Sequence, residues 1–381
     1  MTKFPRTEAC SRSVLLLHSE VSPYRLPLFN SLGEQFDLHV AFCTRSGGSR
    51  YWEESLSSEY NFSGEILRNR ELMQLLLNPT VFRKLTLTGY DVVILDDDPR
   101  ITLTRLAVAL AARYHSIPVI IWSGKTDRGY YDLVSQLGNS VLSPLNELIY
   151  SSADQFIAYS KDTVEYLESH GIRSDQISLG TQVIAEGLTD QVDPSSYREI
   201  QQNFDSGDCI FFSLGYLSKR KGVHDLIRAF KSIENEHAQL IIGGAGEAED
   251  ELLELSKGDK RIHLPGYLSD EDKATYLQLS DVFVLPSYND PWGLVVNEAM
   301  MFGLPVITTT DVGARELVDD NGLIIEAGNI SMLRKSLIKL LENPDLRNRM
   351  GERSRDVIQN YDLKMAVNTF TMAIDELFES P

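Results

Sequence analysis

The chain of 381 residues is short of everything that would let it work outside a reducing compartment, across a membrane or on a nucleic acid. It has three cysteines, Cys10, Cys43 and Cys209, odd in number and far apart. Neither a disulfide framework nor a zinc spacing can be built from them, so a cytoplasmic protein is expected. No stretch comes near the roughly 20 apolar residues that a membrane-spanning helix needs. The apolar run near the start, Val14 to Leu17, is too short for the core of a signal peptide. Basic residues are also scarce: 36 Lys and Arg against 55 Asp and Glu, a formal net charge of −19. That argues against nucleic acid as a partner, because phosphate backbones are held by neutralising cations. It does not exclude a small anionic ligand, since a local cationic pocket can sit in an acidic protein. The seven histidines are scattered, and no Ser-His-Asp, Cys-His or metal arrangement follows from their spacing. No metal or other cofactor is expected.

What is present is a repeated alternation. In the first half, short apolar runs ("SVLLLHS", "DLHVAFC", "DVVILDD", "PVIIWSG", "QFIAYS") are separated by helical patterns such as 23–32, 102–114 and 162–170. In the second half the runs are "CIFFSLG", "QLIIGG", "RIHLPG", "DVFVLPS", "PVITTT" and "GLIIEA", again separated by helical patterns, for example 223–230 and 270–279. Apolar strands alternating with helices imply parallel sheets covered on both faces. Two series imply an α/β protein of two Rossmann-like, doubly wound domains, with ligands bound beyond the carboxyl ends of the strands. The Gly-, Asp-, Pro- and Ser-containing stretch 180–208 is the natural boundary. The expected domains are residues 1–190 and 205–354, followed by a C-terminal helix over 355–381.

The chemistry concentrates in "SYNDPWGLVVNEAMMFGLPVI", from Ser287. A strand ends at Ser287, "YNDPW" is a loop, and Pro291 suits the first turn of a following helix. Gly293 permits close approach to the backbone. The amides of Leu294 and Val295 are unpaired donors at the positive end of that helix, a site for phosphate. Asp290 precedes the helix and Glu298 lies more than a turn inside it, so the two carboxylates can reach opposite ends of a ligand. Carboxylates accept hydrogen bonds from hydroxyls, which suits sugar and ribose. The plain alternative is one acid at a helix start and one solvated Glu.

A second motif, "SLGYLSKRKGVHDLIRAF" from Ser213, ends a strand at Gly215 and places Lys219, Arg220 and Lys221 before Gly222 and a helix. Three cations beyond a strand end can hold a diphosphate; otherwise they form a solvated basic turn. A third, "IIGGAGEAEDEL" from Ile241, lacks the G-x-G-x-x-G spacing of dinucleotide enzymes and reads as a tight turn. In the first half, Arg25 in "SPYRLPLF" reads equally as an acceptor contact or a surface residue. "WSGKTDRGYY" offers Lys125, Asp127 and Arg128 to the cleft. The basic and apolar stretch from Ile66 to Leu85 reads either as a cover for the first sheet or as an interfacial helix giving peripheral membrane contact.

Together these motifs resemble the retaining glycosyltransferases of family 4, which have the GT-B architecture, over essentially the whole chain. "NDPWGLVVNEAMMFGLPVI" looks like that family's E-x7-E segment and Gly-Leu-Pro-Val turn. "GYLSKRKGV" resembles its G-R-L-x-x-x-K-G loop, and "SPYRLPLF" and "YSKDTVEYLESHGI" look like first-domain segments. The resemblance implies a nucleotide-sugar donor bound mainly by the second domain, a saccharide or lipid-linked acceptor on the first, and a C-terminal helix crossing back. It implies that Lys221 holds donor phosphates and Asp290 touches the transferred sugar. Gly293 to Val295 would cap the diphosphate and Glu298 bind the ribose, with Gly215 and Arg220 also on the donor side. The chain departs from the pattern in three places. Asp290 stands where the first Glu is usual and Tyr216 where an Arg is usual. No His follows the first-domain strand near 122–127. Transfer to a saccharide or glycolipid acceptor in cell-surface polysaccharide assembly is therefore expected. A nucleotide-sugar 2-epimerase and a non-catalytic nucleotide-sugar binding module remain as alternatives.

Overall fold

The computed structural model of the chain describes residues 12–45, 60–72, 75–81, 89–127, 142–180, 182 and 187–379. The strands in chain order are β1 (Ser13–Glu20), β2 (Asp37–Thr44), β3 (Ser63–Ile66), β4 (Arg70–Leu72), β5 (Leu75–Leu77), β6 (Val92–Asp96), β7 (Val119–Ser123), β8 (Gln155–Ala158) and β9 (Ile177–Leu179). The second series is β10 (Cys209–Leu214), β11 (Ala238–Gly243), β12 (Ile262–Gly266), β13 (Val282–Leu285), β14 (Val306–Thr309) and β15 (Gly322–Ile325). The helices are α1 (Leu26–Gln35), α2 (Thr102–Tyr114), α3 (Ser143–Tyr150), α4 (Lys161–Ser169), α5 (Pro194–Gln201), α6 (Val223–Lys231), α7 (Glu249–Ser256), α8 (Asp270–Leu279), α9 (Leu294–Met301), α10 (Ile330–Leu341), α11 (Pro344–Ile358) and α12 (Leu363–Glu379).

Seven strands form one sheet in the order β3-β2-β1-β6-β7-β8-β9, and six form another in the order β12-β11-β10-β13-β14-β15. Every pairing within these two sheets is parallel. This is the two-domain, Rossmann-like GT-B architecture. The central strands are buried along their whole length, as "VVILD" in β6 and "VFVL" in β13 illustrate. Helices therefore cover both faces, and continuous apolar strands are the ones that survive such burial.

Helix α12 follows α11 yet packs on the first sheet. Ala366, Val367, Phe370, Ala373 and Ile374 join a core with residues of β1, β2 and α1, and the Phe370 ring lies 5.1 Å from that of Trp122. The segment after β9 leans the other way: Leu188 and Val192 pack in the second-domain core.

The stretch from Ile66 covers the first sheet, the first of its two readings, and part of it is a two-stranded antiparallel hairpin, β4 with β5, rather than an interfacial helix. Leu67, Leu76 and Val81 are buried against the first sheet. Residues 73, 74 and 82–88 of that stretch lie outside the described residues. Among the described residues no helix is long and apolar enough to cross a membrane.

The carboxyl ends of the two sheets face one another. Arg315, beyond β14, donates to both carboxylate oxygens of Asp162, beyond β8, at 2.5 Å each. The Lys161 amide donates to Glu316 at 2.5 Å. Asn297 Nδ2 on α9 donates to the carbonyl of Gln182, beyond β9, at 3.1 Å.

Candidate functional site

The residues expected on the donor side lie at the carboxyl end of the second sheet. β10 ends at Leu214 and a single 3-10 turn, Lys219–Lys221, leads into α6. Gly222 caps α6 with φ +67°, and a Cβ there would stand 2.1 Å from the carbonyl oxygen of Pro286. Only glycine lets the cationic turn press against the end of β13 in this way. The contact is reinforced because the Tyr288 amide donates to the Arg220 carbonyl at 2.9 Å. The Arg220 guanidinium donates to the carbonyl of Asn289. Lys221 and Asp290, 69 residues apart in sequence, meet with Nζ 2.5 Å from Oδ2.

Asp290 is held by its own backbone. Its amide donates to Asp311 at 3.0 Å and its carbonyl accepts from Gly313 at 2.9 Å, so the loop after β13 is strapped to the loop after β14. Burial pushes the Asp290 carboxyl up, but Lys221 and Arg220 outweigh it, and the pKa falls below the ordinary carboxylate value. The acid is ionised at neutral pH. Gly293 caps α9 with φ +92°, and a Cβ there would stand 2.9 Å from Leu285 and 3.1 Å from Val312. Pro291 accordingly sits in the loop, two residues before the cap, and not in the first helical turn as expected. The left-handed glycine, rather than proline, sets the helix start. The first intrahelical-type bond runs from Val296 N to Gly293 O, so the amides of Leu294 and Val295 are the open donors of the helix start.

Glu298 lies one turn further on and does not join the Lys221–Asp290 pair. Its Oε1 accepts from Lys273 Nζ at 2.8 Å, and Lys273 also meets Asp270 at 2.9 Å. Burial raises the Glu298 carboxyl pKa, with Lys273 opposing. Burial lowers that of Lys273, but Glu298 and Asp270 outweigh it and the net shift is upward. Lys219, by contrast, is 80% exposed and lies 3.6 Å from Glu251, turned away from Asp290. Gly215 has no side chain to obstruct Lys221, whose Cε would lie 3.6 Å from a Cβ built there.

The acceptor-side candidates are dispersed. Arg25 is neither at the surface nor open to a ligand on all sides. It is 7% exposed, stacks over Trp122 at 4.3 Å, and donates to Gln182 and, at 3.1 Å, to the Tyr159 hydroxyl. Lys125 pairs with the buried Asp97 at 2.9 Å. Asp97 also accepts from Ser123 and Tyr150 and pairs with Arg105. Burial pushes the Lys125 pKa down more than Asp97 holds it up. Asp127 is exposed, and Arg128 lies outside the described residues. Lys273, Asn297 and Gln182 had no signal in the sequence, because each acquires its partner only through the tertiary fold. Among the described residues, no group of three or more His, Cys, Asp or Glu is placed to hold a metal ion.

Residues 198–357 match the family described as glycosyl transferases group 1. An uncharacterized glycosyltransferase of Haemophilus influenzae is 31% identical over 164 residues, 41% of this chain and 46% of that protein. The capsular polysaccharide biosynthesis glycosyltransferase CapM of Staphylococcus aureus is 27% identical over 178 residues, 45% of this chain and 46% of the relative. The match thus spans about half the length of these curated relatives. In three dimensions, HepE of Anabaena, solved in complex with UDP, superposes with a TM-score of 0.77 at 19% identity, covering 96% of this chain and 100% of HepE. That likeness is one of fold.

Proposed function

We propose that the chain is a retaining glycosyltransferase that moves a sugar from a nucleotide-sugar to a saccharide or lipid-linked acceptor, of the kind family 4 contains, in cell-surface polysaccharide or glycoconjugate synthesis. The observation that carries this reading is the meeting of Lys221, Asp290 and the open amides of α9 at the cleft, inside the stretch that matches group 1 glycosyl transferases. Glycosyltransferase relatives with capsular polysaccharide roles, and a neighbour of the same fold that binds UDP, support it.

The chemistry asked of these residues is electrostatic. The diphosphate rests on the amides of Leu294 and Val295 and draws Lys221 from Asp290. Asp290 then accepts from hydroxyls of the transferred sugar, and Glu298 accepts from the ribose. The bond between the anomeric carbon and the phosphate oxygen breaks as the acceptor oxygen attacks from the same face. The acceptor's proton passes to the leaving phosphate, whose charge Lys221 and the helix start hold. A thermal-shift screen across UDP-, GDP- and ADP-sugars tests the reading, because a ligand of the folded state alone raises its stability. Stabilisation by one nucleotide series, followed by transfer to an added saccharide or lipid acceptor, supports it. Stabilisation by none of them overturns it.

A further inference from the structure

We propose that Lys273 is a positioning residue of the donor site: placed between Asp270 and Glu298, it fixes the Glu298 carboxylate and balances its charge, so that the remaining oxygen faces the donor's ribose. The inference rests on the reading of Glu298 as the ribose contact. Lys273 comes from α8 and Glu298 from α9, and they meet only because β13 lies between these helices in sequence and the fold returns α9 beside α8. Lys273 Nζ stands 2.8 Å from Glu298 Oε1 and 2.9 Å from Asp270 Oδ1. The side chains of Lys273 and Glu298 are 16% and 12% exposed, whereas Asp270 is 73% exposed. Among the described residues, Oε2 of Glu298 makes no hydrogen bond. One oxygen is thus anchored and the other is left for a ligand. A buried carboxylate without a partner would be costly and would take up a proton instead.

Among the described residues, the other charged groups around α9 are committed elsewhere. Asp290 and Lys221 pair with each other at its start. From α11, Arg355 donates to the Phe302 carbonyl beyond its far end. From the 3-10 turn after β14, Arg315 and Glu316 bind Asp162 and the Lys161 amide. β13 and β14, "VFVL" and "VITT", carry no titratable side chain. Among the described residues, Lys273 is therefore the cation that meets Glu298.

The test is the dissociation constant of UDP, GDP and ADP, measured by calorimetry between pH 6 and 8, for the wild-type chain and four variants. For the best-bound diphosphate, Lys273→Met is expected to weaken binding about tenfold at pH 7.5, the equivalent of one lost charge-assisted contact. The loss should grow as the pH falls, because the unpaired Glu298 takes up a proton nearer neutrality. Lys273→Arg should restore most of the affinity. Glu298→Gln should weaken binding by itself, and Lys273→Met should add nothing on that background, since a residue acting through Glu298 has nothing left to position. If Lys273→Met does not fold, Lys273→Gln carries the same pH dependence. Wild-type affinity in the Lys273 variants beside a weak Glu298→Gln overturns the proposal. So does a loss that adds fully to that of Glu298→Gln. If wild-type protein binds none of the diphosphates, or Glu298→Gln binds as wild type, it is the ribose reading that fails.

Discussion

Lys221 and Asp290, from different strand ends of the second sheet, form an ion pair with 2.5 Å between Nζ and Oδ2. Their side chains are 14% and 12% exposed, so the pair is largely withdrawn from water. Two groups proposed to meet a phosphate and a sugar thus hold each other. On the proposed function, an arriving diphosphate would compete with Asp290 for Lys221, and the sugar hydroxyls would then compensate Asp290. Pairing before binding keeps both side chains in place without leaving a bare charge in a low-dielectric site.

The cationic turn therefore has unequal members. Lys221→Ala is expected to lower kcat/KM by at least ~2 kcal/mol of transition-state stabilisation, since contacts to charged groups contribute about 1.5–3. Lys219→Ala should leave it nearly unchanged, because Lys219 is 80% exposed and faces Glu251. Steady-state kinetics on the two variants decides. A larger loss for Lys219→Ala or Arg220→Ala would move the phosphate contact along the turn, with one of them replacing the Arg absent at Tyr216.

The same pair predicts a pH dependence of stability. The folded pKa of Asp290 lies below its unfolded value, because Lys221 and Arg220 outweigh burial. Its stabilising contribution is then complete above the unfolded value, about 3.9, and is lost as the pH falls through the lower folded value. Asp290→Asn should lower the unfolding midpoint at pH 7, by the equivalent of about 1.5–3 kcal/mol for a lost charged contact. The wild-type advantage should shrink below pH 4. Thermal unfolding at pH 3 to 7 measures it; an advantage that stays constant down to pH 3 would mean that the carboxyl is not held down by the pair.

The reaction itself should retain the donor's anomeric configuration and survive EDTA. The reading rests on Lys221 and the α9 amides as the groups that hold the leaving phosphate. NMR of freshly formed product identifies the anomer. An inverted product would exclude same-face attack, and activity lost to chelation and restored by a divalent ion would show that these groups do not suffice.

Much of this was legible before the structure because buried parallel strands leave an unmistakable trace. All six strands of the second sheet coincide with apolar runs, from "CIFFSLG" to "GLIIEA". The edge strands β3, "SGEI", and β9, "ISL", were missed: each has one sheet neighbour and needs neither length nor apolarity. The segment from Ile66 left two readings open because basic and apolar residues in a hairpin mimic the composition of an interfacial helix; the burial of Leu67, Leu76 and Val81 selects the cover. At the site, glycines and acids announced themselves by their place after a strand, whereas Lys273 sits in an acidic helix start, "DEDK", that resembles any solvated turn. Its meaning depends on Glu298, 25 residues away. The same holds for Asn297, whose amide joins Trp292 Nε1 at 2.9 Å to the Gln182 carbonyl of the other domain.

The two acids that bracket the start of α9 should divide the ligand. Asp290 precedes the helix and is balanced by Lys221; Glu298 lies inside it and is balanced by Lys273. Asp290→Asn should depress turnover of the sugar donor while leaving affinity for the bare nucleoside diphosphate unchanged or improved. Improvement is the structural refinement: with Asp290 neutral, phosphate no longer competes with that carboxylate for Lys221. Glu298→Gln should weaken donor and bare diphosphate alike, by roughly tenfold or more if one or two ribose hydrogen bonds of ~1.5 kcal/mol are lost. Calorimetry with the bare diphosphate separates the cases. Should Asp290→Asn lose diphosphate affinity while Glu298→Gln keeps it, the ligand runs across the helix start in the opposite direction, with the sugar at Glu298. Should both variants bind and turn over as wild type, the two acids serve only to neutralise Lys221 and Lys273, and the donor lies elsewhere in the cleft.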